Sequence, residues 1–237
     1  MNTIDPSTPL AELVTKRPDL ALTFESLGFD YCCGGSQSVA AACLVAGLEV
    51  DEVVARLVED SPVEAPDDWA SLDPPGLVDH LERTHHVYLS GALPRLEGLV
   101  DRVIEAHGES HPELHDVRAT FLELRRELEP HLMKEEQILF PMIRELYASQ
   151  GAPTFYCGPL ENPIGAMRLE HDGAGELLGR LRAQTSVYAT PGDGCASYGA
   201  LYAGLAELET DTHLHIHKEN NVLFPAVVAE ELSRTSP

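Results

Sequence analysis

The sequence predicts an all-α protein in which a small helical N-terminal domain precedes an antiparallel four-helix bundle. Apolar residues recur at helical spacing over most of the 237 residues, and no segment alternates apolar and polar residues as a half-buried strand does. Proline and acidic residues concentrate between Ser61 and Gly76, a composition typical of a linker. Beyond this segment, glycine and proline divide the chain into four long helical stretches.

The N-terminal domain is predicted to span residues 1–60. Short helical patterns begin at Leu10, run from Leu20 to Leu27, and begin again at Val50. Residues 61–76 are predicted to be a linker without regular structure because they contain four prolines: Pro62, Pro66, Pro74 and Pro75.

The bundle is predicted to span residues 77–237. Its helices are expected at about Leu77 to His107, Glu113 to Tyr147, Asn162 to Tyr188, and Cys195 to Leu232. Pro130, Pro141 and Pro225 fall inside these helices, so kinks are expected there.

The composition excludes several classes of function. There are 39 acidic and 16 basic residues, and a net charge of −23 repels nucleic acid and anionic membranes. There is no run of about 18 apolar residues for a membrane span, and the N-terminal residues do not resemble a signal peptide. The cysteine count is odd, at five, and two cysteines are adjacent, which favours free thiols in a reducing cytoplasm.

Two near-copies of one motif lie 84 residues apart, at His131–Pro141 and His215–Pro225. In each copy a glutamate, Glu135 or Glu219, follows the histidine by four residues, so both side chains share one helix face. Those faces also carry apolar residues, and a buried carboxylate without a partner costs several kcal/mol. Two such His–Glu pairs from two helices predict a dinuclear metal centre.

The two remaining predicted helices supply further histidines. His171 shares its helix face with apolar residues, which makes it a candidate ligand. In the first bundle helix, either His85 or His86 is a candidate, and helical phase alone favours His85. Imidazoles and carboxylates without a thiolate suit iron or manganese better than structural zinc.

The combination of motifs resembles a known family. Residues 77–237, with both repeats and Glu170-His171-Asp172, resemble a hemerythrin-like (HHE cation-binding) bundle. Residues 1–60, with Tyr31-Cys32-Cys33-Gly34-Gly35, resemble the N-terminal domain of the RIC family, di-iron proteins that repair iron–sulfur centres. The resemblance implies two non-haem irons with an oxo or hydroxo bridge. Its ligands would be His86, favoured over His85 by the family spacing to Leu93-Pro94, together with His131, Glu135, His171, His215 and Glu219, the two glutamates bridging the irons.

The resemblance also implies a function. The protein would restore iron–sulfur clusters damaged by nitrosative or oxidative stress, by donating iron or handling nitric oxide, and whether it reduces nitric oxide as an enzyme stays open. Its partners would be damaged iron–sulfur proteins and the ligands NO or O2, in the cytoplasm, with the protein a monomer or homodimer. Cys32 and Cys33 would be catalytic and couple the centre to a partner or electron source. The alternative is a hemerythrin-like module that reversibly binds or senses O2 or NO, which has no evident use for the Cys-Cys domain.

Other residues are expected to have simpler roles. Cys43, Cys157 and Cys195 are interpreted as structural, and His107, His111 and His115 as part of a surface loop. His213 and His217 fall nearly opposite His215 on their helix, so they are predicted to be exposed. Glu127 and Glu170 are expected close to the metal ligands, as a polar route or as hydrogen-bonding partners.

Overall fold

A computed structural model of the protein describes residues 4–59 and 69–235. These residues form eight helices and no β-strand; an isolated bridge joins Pro9 and Ser38. The predicted all-α class is therefore confirmed. None of the helices in these two ranges is long and apolar enough to cross a bilayer.

The N-terminal domain contains four short helices. They are α1 (Leu10–Lys16), α2 (Leu20–Leu27), α3 (Val39–Ala46) and α4 (Val50–Glu59). Helix α2 ends at Gly28 and α3 at Gly47, both in the left-handed conformation with φ near +70° (72° and 68°), which costs glycine little. The Ser38 side chain caps the start of α3 by accepting a hydrogen bond from the Ala41 N–H.

The bundle consists of four long helices, three of which contain a π-helical turn. Helix α5 comprises Pro74–Leu81, the π turn Glu82–His86 and Val87–His107; α6 comprises Leu114–Lys134, the π turn Glu135–Leu139 and Phe140–Ala148; α7 is Glu161–Gln184; α8 comprises Ala196–Lys218, the π turn Glu219–Leu223 and Phe224–Thr235. Helix α6 packs against α5 and α7, and α8 packs against α5 and α7.

The last part of the expected linker is helical. Trp69–Ser71 forms a short 3-10 turn, and α5 begins at Pro74 rather than Leu77. The Asp73 side chain accepts a hydrogen bond from the Gly76 N–H, and proline is well tolerated in the first helical turn because no partner is needed there for its missing N–H. Pro62 and Pro66 lie outside the described residues.

The prolines inside the helices have different local effects. The chain stays α-helical through Pro94 and Pro130, whereas π turns end two residues before Pro141 and Pro225. In α6 the Phe140 N–H donates to the Glu135 carbonyl five residues earlier, and Phe224 and Glu219 repeat this bond in α8. The helix thus continues across each proline with one extra residue in the turn.

Two hydrophobic clusters make up the core. The first joins apolar residues of the N-terminal helices to one half of the bundle, and its members lie between Leu10 and Ile216 in the sequence. The second occupies the other half of the bundle and surrounds Trp69, Phe140 and Phe224. Along each bundle helix one cluster precedes the other, and the order reverses from helix to helix, as an antiparallel bundle requires. Where the clusters meet, the bundle interior is polar.

Candidate metal centre

The polar layer between the two hydrophobic clusters contains six buried side chains, no more than 3% exposed, contributed by all four bundle helices. They are His86 (α5), His131 and Glu135 (α6), His171 (α7), and His215 and Glu219 (α8). The structure therefore brings together all six residues that the sequence and the family resemblance pointed to. Their donor atoms form two groups, His131, Glu135, His171 and Glu219 in one, and His86, Glu135 and His215 in the other.

The Glu135 carboxylate divides its oxygens between the two groups. Its Oε1 lies 3.2 Å from His131 Nε2, and its Oε2 lies 3.5 Å from His86 Nε2 and 3.9 Å from His215 Nε2. One oxygen thus faces each group, which is the arrangement that a carboxylate needs to bridge two cations.

The Glu219 carboxylate repeats this division. Its Oε2 lies 3.1 Å from His171 Nε2, and its Oε1 lies 3.4 Å from His215 Nε2. The first group thus contains two imidazoles and one oxygen from each glutamate, whereas Glu219 reaches the second group through its approach to His215.

Several of these buried atoms have no hydrogen-bond partner within the described part of the chain. They are His86 Nε2, His215 Nε2 and all four oxygens of Glu135 and Glu219. Leaving so many polar atoms unsatisfied in a dry interior would cost several kcal/mol, because each has lost its water. Cations between the four imidazoles and the two carboxylates would give these atoms partners. The residues therefore fit a metal centre.

The opposite edges of three imidazoles are held by hydrogen bonds. His86 Nδ1 lies 2.9 Å from Glu136 Oε1, His131 Nδ1 2.9 Å from Glu170 Oε2, and His171 Nδ1 3.0 Å from Asn220 Oδ1. Such bonds fix the ring orientation and leave Nε2 free to bind a metal. Sequence reasoning considered Glu170 but missed Glu136 and Asn220. Their signal is that each directly follows a repeat glutamate, Glu135 or Glu219.

The charges of the site are mutually dependent. Burial and the neighbouring Glu219 disfavour the ionised form of Glu135, but His131 and His86 outweigh them, so the pKa of Glu135 lies below its ordinary value. Burial likewise opposes ionisation of Glu219, yet His215 and His171 hold its pKa well below the ordinary value. Burial disfavours protonated His131, but Glu135 raises the pKa of His131 to about 10. Without a metal, a proton on His131 therefore offsets part of the negative charge of the two carboxylates.

Of the two candidate histidines in α5, the structure places His86 in the cluster. His85 is also buried, but its Nδ1 lies 2.8 Å from Asp211 Oδ1 and its Nε2 lies 2.8 Å from Lys218 Nζ. Helical phase favoured His85 because it assumed 3.6 residues per turn, whereas the π turn Glu82–His86 accommodates an additional residue. His85 instead stacks on the His215 ring, with 5.3 Å between ring centroids.

A small pocket of about 10 Å³ adjoins the cluster. Its lining includes Glu127, Glu170, His131, His171 and His215. This volume is close to the space that one water molecule occupies. The expectation that Glu127 and Glu170 lie beside the metal ligands thus agrees with their positions.

The Cys32–Cys33 loop packs against α8, close to the cluster. Cys33 is exposed but Cys32 is buried, so only one of the two thiols is openly accessible. The Cys32 carbonyl accepts a hydrogen bond of 2.8 Å from the Asn221 side chain. Asn221 belongs to the same π turn as the cluster residue Glu219.

Two sequence interpretations require correction. His217 is fully buried rather than exposed, and His213 is partly buried, because the N-terminal domain covers this side of α8. His217 Nε2 lies 3.1 Å from Thr15 Oγ1, and its ring packs edge-on against Tyr31 and Trp69. Cys195 is exposed, so it is not a structural core residue as Cys43 is.

Comparison with known proteins gives two family matches. Residues 77–227 match the family described as Hemerythrin HHE cation binding domain. Residues 6–61 match ScdA_N, described as Domain of Unknown function (DUF542).

Similar proteins cover nearly the whole chain. The iron-sulfur cluster repair protein YtfE of Enterobacter sp. (strain 638) is 36% identical over 223 residues, or 94% of this chain and 97% of the relative. Proteins of the same name from Escherichia coli O1:K1 / APEC and Escherichia fergusonii are each 36% identical over 225 residues, with the same 94% and 97% coverage. The similarity therefore includes both the bundle and the N-terminal domain.

Proposed function

We infer a function from the family of this chain, which belongs to the RIC family together with its iron–sulfur cluster repair relatives. The proposed function is to restore iron–sulfur clusters damaged by nitrosative or oxidative stress. The resemblance stated from the sequence motifs is thereby confirmed. Damaged iron–sulfur proteins are accordingly the proposed partners.

Two non-haem irons are the proposed occupants of the polar layer, held by His86, His131, His171 and His215 with Glu135 and Glu219 between them. The observation that carries this proposal is the division of both carboxylates, each with one oxygen toward each histidine pair. A donor set of imidazoles and carboxylates suits iron or manganese. When bound, the irons would supply exchangeable iron and a place for a small ligand such as nitric oxide.

The protein's own residues prepare the site for that role. Glu136, Glu170 and Asn220 orient three of the histidines, and the hydrophobic clusters above and below exclude bulk water. The pocket beside His131 and His171 gives one small molecule a place next to the donors. Cys32 and Cys33 remain the proposed reactive thiols, since the Cys32 carbonyl is hydrogen-bonded to Asn221, which belongs to the same α8 π turn as Glu219.

The test combines metal analysis with a repair assay. Protein purified without oxygen should contain about two irons per chain and should reactivate an iron–sulfur dehydratase damaged by nitric oxide. The variants Cys32→Ser and Cys33→Ser should retain the two bundle irons but lose reactivation, because serine cannot supply a thiolate. Stoichiometric zinc in place of iron, or full iron without reactivation, would overturn the proposal.

The hemerythrin-like alternative gives a different result in the same experiment. A module that only binds or senses O2 or NO would bind the gas reversibly, and the damaged dehydratase would stay inactive. In that case replacement of Cys32 and Cys33 would have no effect on gas binding.

A further inference from the structure

The Cys32–Cys33 loop presents three metal-binding groups at one point. The donor atoms of Asp30, Cys32 and Cys33 all lie within 4.8 Å of one another. The two Sγ atoms are 3.9 Å apart, far beyond the bonding distance of about 2 Å in a disulfide. Two thiolates about 2.3 Å from one tetrahedral metal lie about 3.8 Å apart, which is close to the observed separation.

The loop is held rigidly in this arrangement. Asp30 Oδ1 accepts hydrogen bonds from the backbone N–H groups of Cys32 and Cys33, and Asp30 Oδ2 accepts one from Gly34 N–H. A side chain at Gly35 would begin 2.5 Å from the Tyr31 carbonyl oxygen, so only glycine fits this close approach. The donors are therefore positioned before any ligand arrives.

The surroundings of the loop favour a cation. Asp30, Cys32 and Cys33 line a cleft of about 550 Å³ between the N-terminal domain and the bundle. Four further carboxylates line it, those of Glu25, Asp172, Glu176 and Glu209. Facing them are one guanidinium, that of Arg182, and one imidazole, that of His213, whose Nδ1 lies 3.6 Å from Glu25 Oε1. Arg182 is already paired with Glu209 at 2.6 Å, so the remaining negative charge is unbalanced.

We propose that Asp30, Cys32 and Cys33 form a second metal site, for a single divalent transition-metal ion such as Fe²⁺ or Zn²⁺. The two thiols lose their protons to solvent, the metal binds two sulfurs and one carboxylate oxygen, and no redox change occurs. The cleft leaves a fourth position for water or a partner's ligand. Because both thiols must be deprotonated before they bind a metal, binding should strengthen with rising pH.

This site would lie against the α8 π turn that also carries the cluster residue Glu219. The Asn221 side chain donates to the Cys32 carbonyl, while its neighbour Asn220 contacts the cluster residue His171. The proposal goes beyond the proposed repair function, because it assigns a separate metal to the N-terminal domain. Its test measures metal binding alone, so its failure would leave the repair assay unaffected.

The experiment uses full-length, reduced protein already loaded with iron, titrated with Co²⁺ without oxygen. One Co²⁺ per chain should bind with a thiolate-to-cobalt charge-transfer absorption, and the iron content should not change. Cys32→Ser and Cys33→Ser should each abolish that absorption and weaken binding at least tenfold. Cys195→Ser is the matched control, since it removes an exposed thiol elsewhere, and should leave both unchanged.

A second measurement needs no variant. Zn²⁺ should protect Cys33 from iodoacetamide at least tenfold, while the exposed Cys195 should be alkylated equally with and without the metal. Binding of Co²⁺ without thiolate absorption, loss of that absorption in Cys195→Ser, or equal alkylation of Cys33 with and without Zn²⁺ would overturn the proposal.

Discussion

At the scale of single residues, the most informative groups are the two buried carboxylates. Glu135 and Glu219 are completely buried, and their oxygens make no hydrogen bond within the described part of the chain. Apolar residues at these positions would avoid that desolvation cost. Their presence, each facing two histidine pairs, is what the proposed two-cation centre would require.

A first prediction concerns Glu135→Gln. The amide keeps the shape but replaces one oxygen by an NH2 group, whose hydrogens would point at imidazole nitrogens. Iron content should fall from about two to below one per chain, as measured on protein purified without oxygen. The control Glu129→Gln, on the same helix but half-exposed and paired with Arg125, should keep its iron. Equal iron in both variants would contradict the bridging role.

A second prediction concerns pH. Burial disfavours protonated His131 and His86, but Glu135 outweighs it, so the pKa of His131 rises to about 10 and that of His86 lies above its ordinary value. His131 therefore holds a proton in the metal-free protein at neutral pH, and His86 holds one over a wider pH range than a free imidazole. A metal must displace those protons, and affinity should therefore rise with pH by about tenfold per unit for each proton released. Co²⁺ titrations between about pH 6.5 and 8, in protein with Cys32→Ser and Cys33→Ser, would measure this. Affinity independent of pH would show that the imidazoles are already neutral.

The polar residues that the structure gathers between the two hydrophobic clusters could be picked out from the sequence, because a histidine or glutamate among apolar residues is conspicuous. The burial of a side chain was harder to predict where it depends on tertiary packing. His217 was expected to be exposed because helical phase places it opposite His215, but the covering surface comes from Tyr31 and Trp69, far away in sequence. The choice of His86 over His85 needed the family spacing, since residue periodicity cannot reveal a π turn in advance.

At the scale of secondary structure, the three π turns have a common position. His86 ends one, while Glu135 and Glu219 begin the other two. An added residue changes which side chains face inward, so a ligand can point at the centre while apolar residues on both sides stay in the core. Helix existence and approximate bounds were predictable from periodicity, whereas these insertions were not.

Neighbouring residues of the α8 π turn offer a matched pair of variants. Asn220→Ala removes the acceptor for His171 Nδ1 and should lower metal affinity about 10–100-fold. Asn221→Ala removes the hydrogen bond to the Cys32 carbonyl and should leave bundle metal affinity unchanged while speeding alkylation of Cys32. Metal competition and mass spectrometry would measure the two effects. The same metal affinity in both variants would contradict the assigned role of Asn220.

At the scale of the whole molecule, the N-terminal domain is tightly joined to the bundle. The sequence suggested two domains separated by a proline-rich segment, and composition could not show whether they pack together. In the structure one hydrophobic cluster runs from α1–α4 into the bundle. Glu25 adds polar contacts, since its Oε2 accepts a hydrogen bond from Thr210 and its carbonyl accepts one from Arg182. The domains thus share part of their core.

A last prediction follows from this shared core. Because separating the domains would expose apolar surface on both sides, calorimetry of the full-length protein should show one cooperative unfolding transition. Glu25→Gln removes a charged acceptor of the Thr210 and Tyr31 hydroxyls and should destabilise the protein by about 1–2 kcal/mol, still within one transition. The exposed Glu12→Gln, which loses only an ion pair with Lys16, should change stability by less than about 0.5 kcal/mol. Two resolved transitions, of which Glu25→Gln shifts only one, would instead show that the N-terminal domain and the bundle unfold independently.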